Sequence, residues 1–271
     1  MKMKKFINNP DNLTSELLEG MVAAYPNKIK LEEGKLVVRA RPKPEGKVAV
    51  LTLGGSGHEP ALSGFVGLGM LDCSVVGDIF AAPNAVSLLN GLRKFKRDAG
   101  ILLIVLNHAG DVMSANMAMK MAEREGIKVK SVLVADDISA GVETPAADRR
   151  GLAGCIPLIK VAGAAAEEGK SLDEVLEIAQ KFNSRIATLA VAMRGCTHPQ
   201  NGLPITELGE DEMEIGMGQH GEGGGGRCKV LSADETAKIM FGDVSKALKL
   251  KTGEKIFVMA NGVGATTPME L

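Results

Sequence analysis

Six consecutive aliphatic residues, Ile101-Leu102-Leu103-Ile104-Val105-Leu106, leave no polar side for water, so as a strand the run has to be covered on both faces. That requirement points to a sheet layered between helices. The run is the longest apolar stretch in the chain and is far too short to span a bilayer. Other short apolar runs, at 48–53, 129–134, 186–192, 213–217 and 256–259, alternate with segments of helical period. Ser171-Leu172-Asp173-Glu174 reads as a capping box, with Leu172, Val175, Leu176 and Ala179 on one face of the helix that follows. Ser232-Ala233-Asp234-Glu235 repeats the device before a helix running toward Lys249. Thr14 is placed as the cap of an earlier helix that Pro26 stops. Around 161–170, small residues including Ala162, Ala164, Ala165 and Ala166 suit a helix packed at close range. The fold class expected is α/β, with mainly parallel or mixed sheets flanked by helices.

At 271 residues, with 45% hydrophobic content, the chain can bury a large core without disulfides. Two α/β domains are expected, 1–183 and 184–271, the junction falling between Ala179 and Ile186. Lys plus Arg number 32 against 33 Asp plus Glu, so no net field draws the chain to nucleic acid or an anionic membrane. Cys73, Cys155, Cys196 and Cys228 form no Cys-x-x-Cys pair and read as reduced thiols of a cytoplasmic protein. The first ten residues are basic but lack the apolar stretch and cleavage site of a secretion signal.

Three glycine-bearing loops, each after an apolar run, carry the chemistry. The first, Gly54-Gly55-Ser56-Gly57-His58-Glu59-Pro60, is either a tight turn or a cradle whose amides approach a phosphate or polyol. It lacks the third glycine of a dinucleotide fingerprint and the Gly-Lys-Ser/Thr of a P-loop. The second, Asn107-His108-Ala109-Gly110-Asp111, follows the central run, where ligands of open α/β sheets collect at strand carboxyl ends. Taken alone, Asp111 reads better as the cap of a helix starting at Val112, and His108 is given no role.

The third loop, Gly216-Met217-Gly218-Gln219-His220-Gly221-Glu222, delivers a histidine into a glycine-rich stretch that ends at Gly226. A neutral imidazole is a nucleophile, and its addition to a ketone gives a hemiaminal without a metal. The glycines beyond it are expected to flex and admit a ligand. His198 reads as a turn residue, and no pair among the four histidines has zinc-ligand spacing, so no metal site is expected.

These strings, in this order and at these separations, resemble the dihydroxyacetone kinase family, specifically its substrate-binding subunit or domain. The likeness extends through Gly77-Asp78-Ile79-Phe80-Ala81-Ala82-Pro83, Ala147-Asp148-Arg149-Arg150-Gly151, Lys160-Val161-Ala162-Gly163-Ala164-Ala165-Ala166-Glu167 and Asn261-Gly262-Val263-Gly264-Ala265-Thr266. It implies that His220 binds the substrate ketone as a hemiaminal, selecting short carbonyl compounds over polyols such as glycerol. It also implies that His58 and Asp111 hydrogen-bond the substrate hydroxyls and move the proton, while Gly55, Ser56 and Gly57 hold the substrate.

The same resemblance implies no cofactor on this chain. ATP or ADP with magnesium belongs to a separate helical subunit or fused domain, recharged in some bacteria by the phosphotransferase system. The chain is then inactive alone and forms a homodimer. Two departures stand out. Leu106 occupies a position where members often have lysine, and members usually continue for several dozen residues past Leu271, so the second domain is expected to lack part of its sheet. Some relatives keep the covalent histidine yet act as coactivators of transcription, which is the alternative reading.

Overall fold

The computed structural model describes residues 5–271; Met1 to Lys4, the start of the segment read as no secretion signal, lie outside them. Contacts divide the chain into two compact units. The larger comprises Phe6–Ala135 and Gly154–Ser184; the smaller holds Lys5, Asp136–Ala153 and Arg185–Leu271.

The larger unit begins with α1 (Leu13–Ala24) and the antiparallel pair β1 (Ile29–Glu32) and β2 (Leu36–Arg39). Gly34 and Lys35, at φ 78° and 58°, turn the chain between them. There follow β3 (Ala49–Ser56), β4 (Cys73–Ile79), α2 (Ala85–Lys94), β5 (Ile101–Leu106), α3 (Ala109–Arg124), β6 (Val129–Val134), α4 (Cys155–Glu167) and α5 (Leu172–Asn183). The six strands lie in the order β1-β2-β4-β3-β5-β6, parallel from β4 to β6. All six residues of β5 are buried, as its composition required. Leu51, Leu53, Leu103 and Val105 pack with Leu88, Leu89 and Leu92 of α2 and Ala115, Ala118 and Ala122 of α3. The alternate residues Val50, Leu102 and Ile104 are equally buried, on the side where α4 and α5 meet β3 and β5.

The small residues of α4 have a definite cause. A Cβ on Gly163 would lie 2.5 Å from Met70 Cα and 2.6 Å from the Gly69 carbonyl oxygen, both backbone atoms that no rotamer change moves. Gly163→Ala is therefore expected to lower stability by about 1–3 kcal/mol despite alanine's better helix propensity. Urea unfolding would show it as an earlier midpoint at unchanged slope; an unshifted midpoint would mean that the two backbones are not in contact.

A charged cluster ties the other end of this unit together. Asp72, 1% exposed, accepts from Arg39 (3.0 Å), Lys43 (2.7 Å) and the Val50 amide (2.8 Å). Arg39 also donates to Glu167 at the end of α4, at 2.9 Å.

In the smaller unit, β7 (Val191–Ala192), β8 (Glu212–Ile215) and β9 (Gly226–Lys229) form an antiparallel sheet, followed by α6 (Ala233–Ala247). Both capping boxes form, at Ser171 and Ser232. Three local readings fail. Thr14 lies inside α1, buried, and the cap position belongs to Asn12 after a short 3-10 turn. The run at 186–192 is a strand only at its last two residues. The run at 256–259 forms no strand; Phe257 and Val258 are exposed, and strand propensity does not act without a neighbouring strand. Among the described residues, no helix is long and apolar enough to cross a membrane.

Candidate functional site

The strand order of the larger unit fixes where its chemistry collects. From β3 the chain moves to β4 on one side and then to β5 on the other, so connections diverge at the carboxyl ends of β3 and β5. The Gly-rich loop leaves the first of these strands and the Asn107–Asp111 stretch leaves the second. Residues 78–83 stand between them. A Cβ on Gly55 would meet the Ala81 amide at 2.7 Å, one on Gly57 the Phe80 ring at 2.6 Å, and one on Gly110 the Ala82 methyl at 3.3 Å. Gly55, Ser56, Gly57, His58 and Asp111 thus gather at the carboxyl ends of the neighbouring strands β3 and β5.

Each side chain there is held differently. Ser56 is 1% exposed and donates its hydroxyl to the Gly77 carbonyl at 2.8 Å, tying β3 to β4. Gly57, at φ 97°, donates its amide to both carboxylate oxygens of Glu59 at 3.1 Å. The Gly57 amide is thus already taken by a carboxylate. His58 packs against Phe80, with ring centroids 5.2 Å apart. Phe80 has φ 56°, a costly conformation for a bulky residue and one found at functional sites. Composition alone gave no signal for Phe80, although the Gly77–Pro83 string contains it.

Asp111 is not a helix cap. Helix α3 starts at Ala109, with His108 in the cap position, which puts Asp111 in the first turn, 9% exposed. Leu106, the last residue of β5, is 6% exposed and part of the core.

His220 belongs to the smaller unit. Its Nδ1 lies 2.8 Å from Glu222 Oε1, and its amide donates to Glu222 Oε2 at 2.9 Å. Burial alone would raise the Glu222 carboxyl; hydrogen bonds from the His220 ring and from backbone amides outweigh it and hold the group down at about 2. The loop itself is tied at several points by one guanidinium. Arg150 donates from Nε to Asp137 (2.7 Å) and from its two terminal nitrogens to the carbonyls of Glu222 (3.1 Å), Gly223 (3.2 Å) and Gly216 (2.7 Å) and to the Ser139 hydroxyl (2.8 Å).

Two glycines of this loop, Gly216 before His220 and Gly224 after it, are required by close packing, whereas Gly226 has open space around it. A Cβ on Gly224 would sit 1.8 Å from the Gly216 carbonyl oxygen, and one on Gly216 2.3 Å from Ser139 Cβ. They permit backbone to pass against backbone. Glu222 and Arg150 were not assigned roles from sequence; both stand inside the quoted strings, but their partners are set by folding.

Comparison with known proteins agrees with these strings. The Dak1 domain family matches residues 19–271. Over 268 residues the chain is 41% identical to PTS-dependent dihydroxyacetone kinase 1, dihydroxyacetone-binding subunit DhaK, of Listeria innocua, which covers 99% of this chain and 82% of that protein. Among solved structures it resembles the dihydroxyacetone kinase operon co-activator Dha-DhaQ, with TM-score 0.88 and 33% identity over 94% of this chain and 78% of that one. It also resembles the dihydroxyacetone kinase of C. freundii in complex with AMP-PNP and Mg2+, with TM-score 0.84 and 36% identity over 90% of this chain and 46% of that one.

Proposed function

The chain belongs to the Dak1 domain family, and on that footing we propose that it is the dihydroxyacetone-binding subunit of a dihydroxyacetone kinase. His220 holds the ketone as a hemiaminal, and the hydroxyl is presented for phosphoryl transfer from a nucleotide-bearing partner. The observation that carries the reading is the imidazole of His220 paired with a carboxylate in a fixed loop, in a chain 41% identical to a dihydroxyacetone-binding subunit.

In this reading Gly55, Ser56 and Gly57 shape the substrate's berth and His58 and Asp111 take the hydroxyl proton, which an alcohol attacking phosphorus has to lose. Tethering the ketone turns alignment with the donor into an intramolecular problem. ATP or ADP with magnesium sits on the partner, in keeping with the C. freundii kinase, whose nucleotide-bound chain is about twice as long as the part matched here. A homodimer, a cytoplasmic location and, as in the L. innocua relative, a phosphotransferase-system donor complete the proposal.

Native intact-mass measurement tests the tether. Incubation with dihydroxyacetone is expected to add one ligand mass to the chain and none to His220→Ala. Equal labelling of the two proteins would reject the assignment. The second reading, a ligand-binding coactivator, is favoured by the likeness to Dha-DhaQ. Phosphorylation of dihydroxyacetone in the presence of a nucleotide-bearing subunit separates the two, because only the kinase subunit supports turnover.

A further inference from the structure

We infer that Glu222 is a positioning residue that fixes the tautomer of His220 by holding its proton on Nδ1. The inference deepens the hemiaminal reading and rests on it.

Glu222 contacts the same histidine twice, with Oε2 on the backbone amide at 2.9 Å and Oε1 on ring Nδ1 at 2.8 Å. The amide can only donate, which pins one carboxylate oxygen. An ionised carboxylate only accepts, so the nitrogen facing the other oxygen has to carry hydrogen. A neutral ring with hydrogen on Nδ1 keeps its lone pair on Nε2. The arrangement is fixed from outside as well. Gly218 donates to the Glu222 carbonyl at 2.7 Å, and Arg150 grips that carbonyl and the one at Gly216, so one guanidinium closes the loop at both ends.

The addition step balances. The Nε2 lone pair forms a bond to the carbonyl carbon, the carbonyl π pair moves onto oxygen, and that oxygen takes a proton from solvent. The ring then carries one positive charge shared with Nδ1–H, which faces the Glu222 carboxylate. Reversal restores the ketone and returns the proton.

Glu222→Gln discriminates this role from a structural one. A glutamine offers one oxygen and one NH2 group, and the His220 amide has to take the oxygen. The NH2 group then faces Nδ1 and donates to it, which inverts the tautomer and places hydrogen on Nε2. Histidine ring 15N spectra of the ligand-free chain are expected to show Nδ1–H for His220 in the unmodified protein and Nε2–H in E222Q. Adduct formation with dihydroxyacetone, followed by native mass, should slow at least ~100-fold in E222Q, since the analogous carboxylate-to-amide change in a catalytic triad costs about 10^4. Glu222→Asp keeps a carboxylate and should retain Nδ1–H with partial adduct formation.

An Nε2–H ring in the unmodified protein, or an undiminished adduct rate in E222Q, overturns the inference. The spectra need no ligand and the first of them no variant, so the tautomer is read even where E222Q folds poorly. Should the unmodified chain form no adduct at all, the hemiaminal reading fails while the ring spectrum still decides what Glu222 does.

Discussion

His58→Ala is expected to keep the covalent dihydroxyacetone adduct while turnover with the nucleotide-bearing partner falls by roughly 10^2–10^4-fold, the range of positioned acid–base catalysis. The split follows from where the residues lie. His58 leaves the end of β3 in the larger unit, whereas His220 and the groups that fix it, Glu222 and Arg150, are all in the smaller one. Removing the His58 imidazole takes away a ring packed on Phe80 but neither of the hydrogen bonds between His220 and Glu222. Asp111, in the first turn of α3, remains in place in this variant. Adduct by native mass and steady-state phosphorylation, measured on the same preparation, check both halves. Turnover within a few-fold of the unmodified chain would remove His58 from the proton transfer, and loss of the adduct would show that the two histidines do not act separately.

Asp72→Ala is expected to destabilise the larger unit by about 3–5 kcal/mol, the cost of breaking a buried ion pair from one side. Total stabilities run to only about 5–15 kcal/mol, so the loss is a large share. The substitution leaves Lys43, 4% exposed, and Arg39 without the carboxylate that both contact. Asp72→Asn should cost nearly as much, because it preserves shape and removes the charge.

A pH signature identifies the cause. Burial holds the Lys43 ammonium below its ordinary value of 10.5, a depression that the charge and hydrogen bond of Asp72 offset in part, with Glu167 adding to the offset and Arg39 opposing it. With its folded value lowered, Lys43 binds fewer protons folded than unfolded in the window beneath 10.5, so its contribution improves as pH rises there. Without Asp72 the depression deepens and the window widens. The deficit of the variant, taken from urea unfolding at neutral and at mildly alkaline pH, should therefore shrink on going alkaline. A deficit that stays constant or grows would mean that lost packing, not a stranded cation, is responsible.

Legibility followed locality. Strands β5 and β6 begin and end where their apolar runs do; β5 is covered on both faces and has no polar alternation to blur it, whereas β6 keeps its bounds although Lys130, Ser131 and Leu133 are exposed. Strand β4 went unread: Ser74, Gly77 and Asp78 interrupt its apolar pattern, and its place beside β3 depends on a crossover. The β1–β2 hairpin was equally missed, although Gly34 marks its turn. In the site, the residue types and their loops could be read directly. That Asp111 sits within a helix turn and Ser56 ties β3 to the Gly77 carbonyl could not.

The sequence by itself determined the capped helices α5 and α6, the doubly covered strand β5, and the three loops that place histidine and aspartate among glycines. Tertiary structure alone decided the Arg150 closure of the His220 loop across 72 residues, the Asp72 cluster, and the choice of Glu222 as the partner of His220 Nδ1. The division has one physical reason. Period, caps and turns are set by neighbours within a few residues, whereas a buried polar group takes whichever partner the packed backbone brings within hydrogen-bond reach.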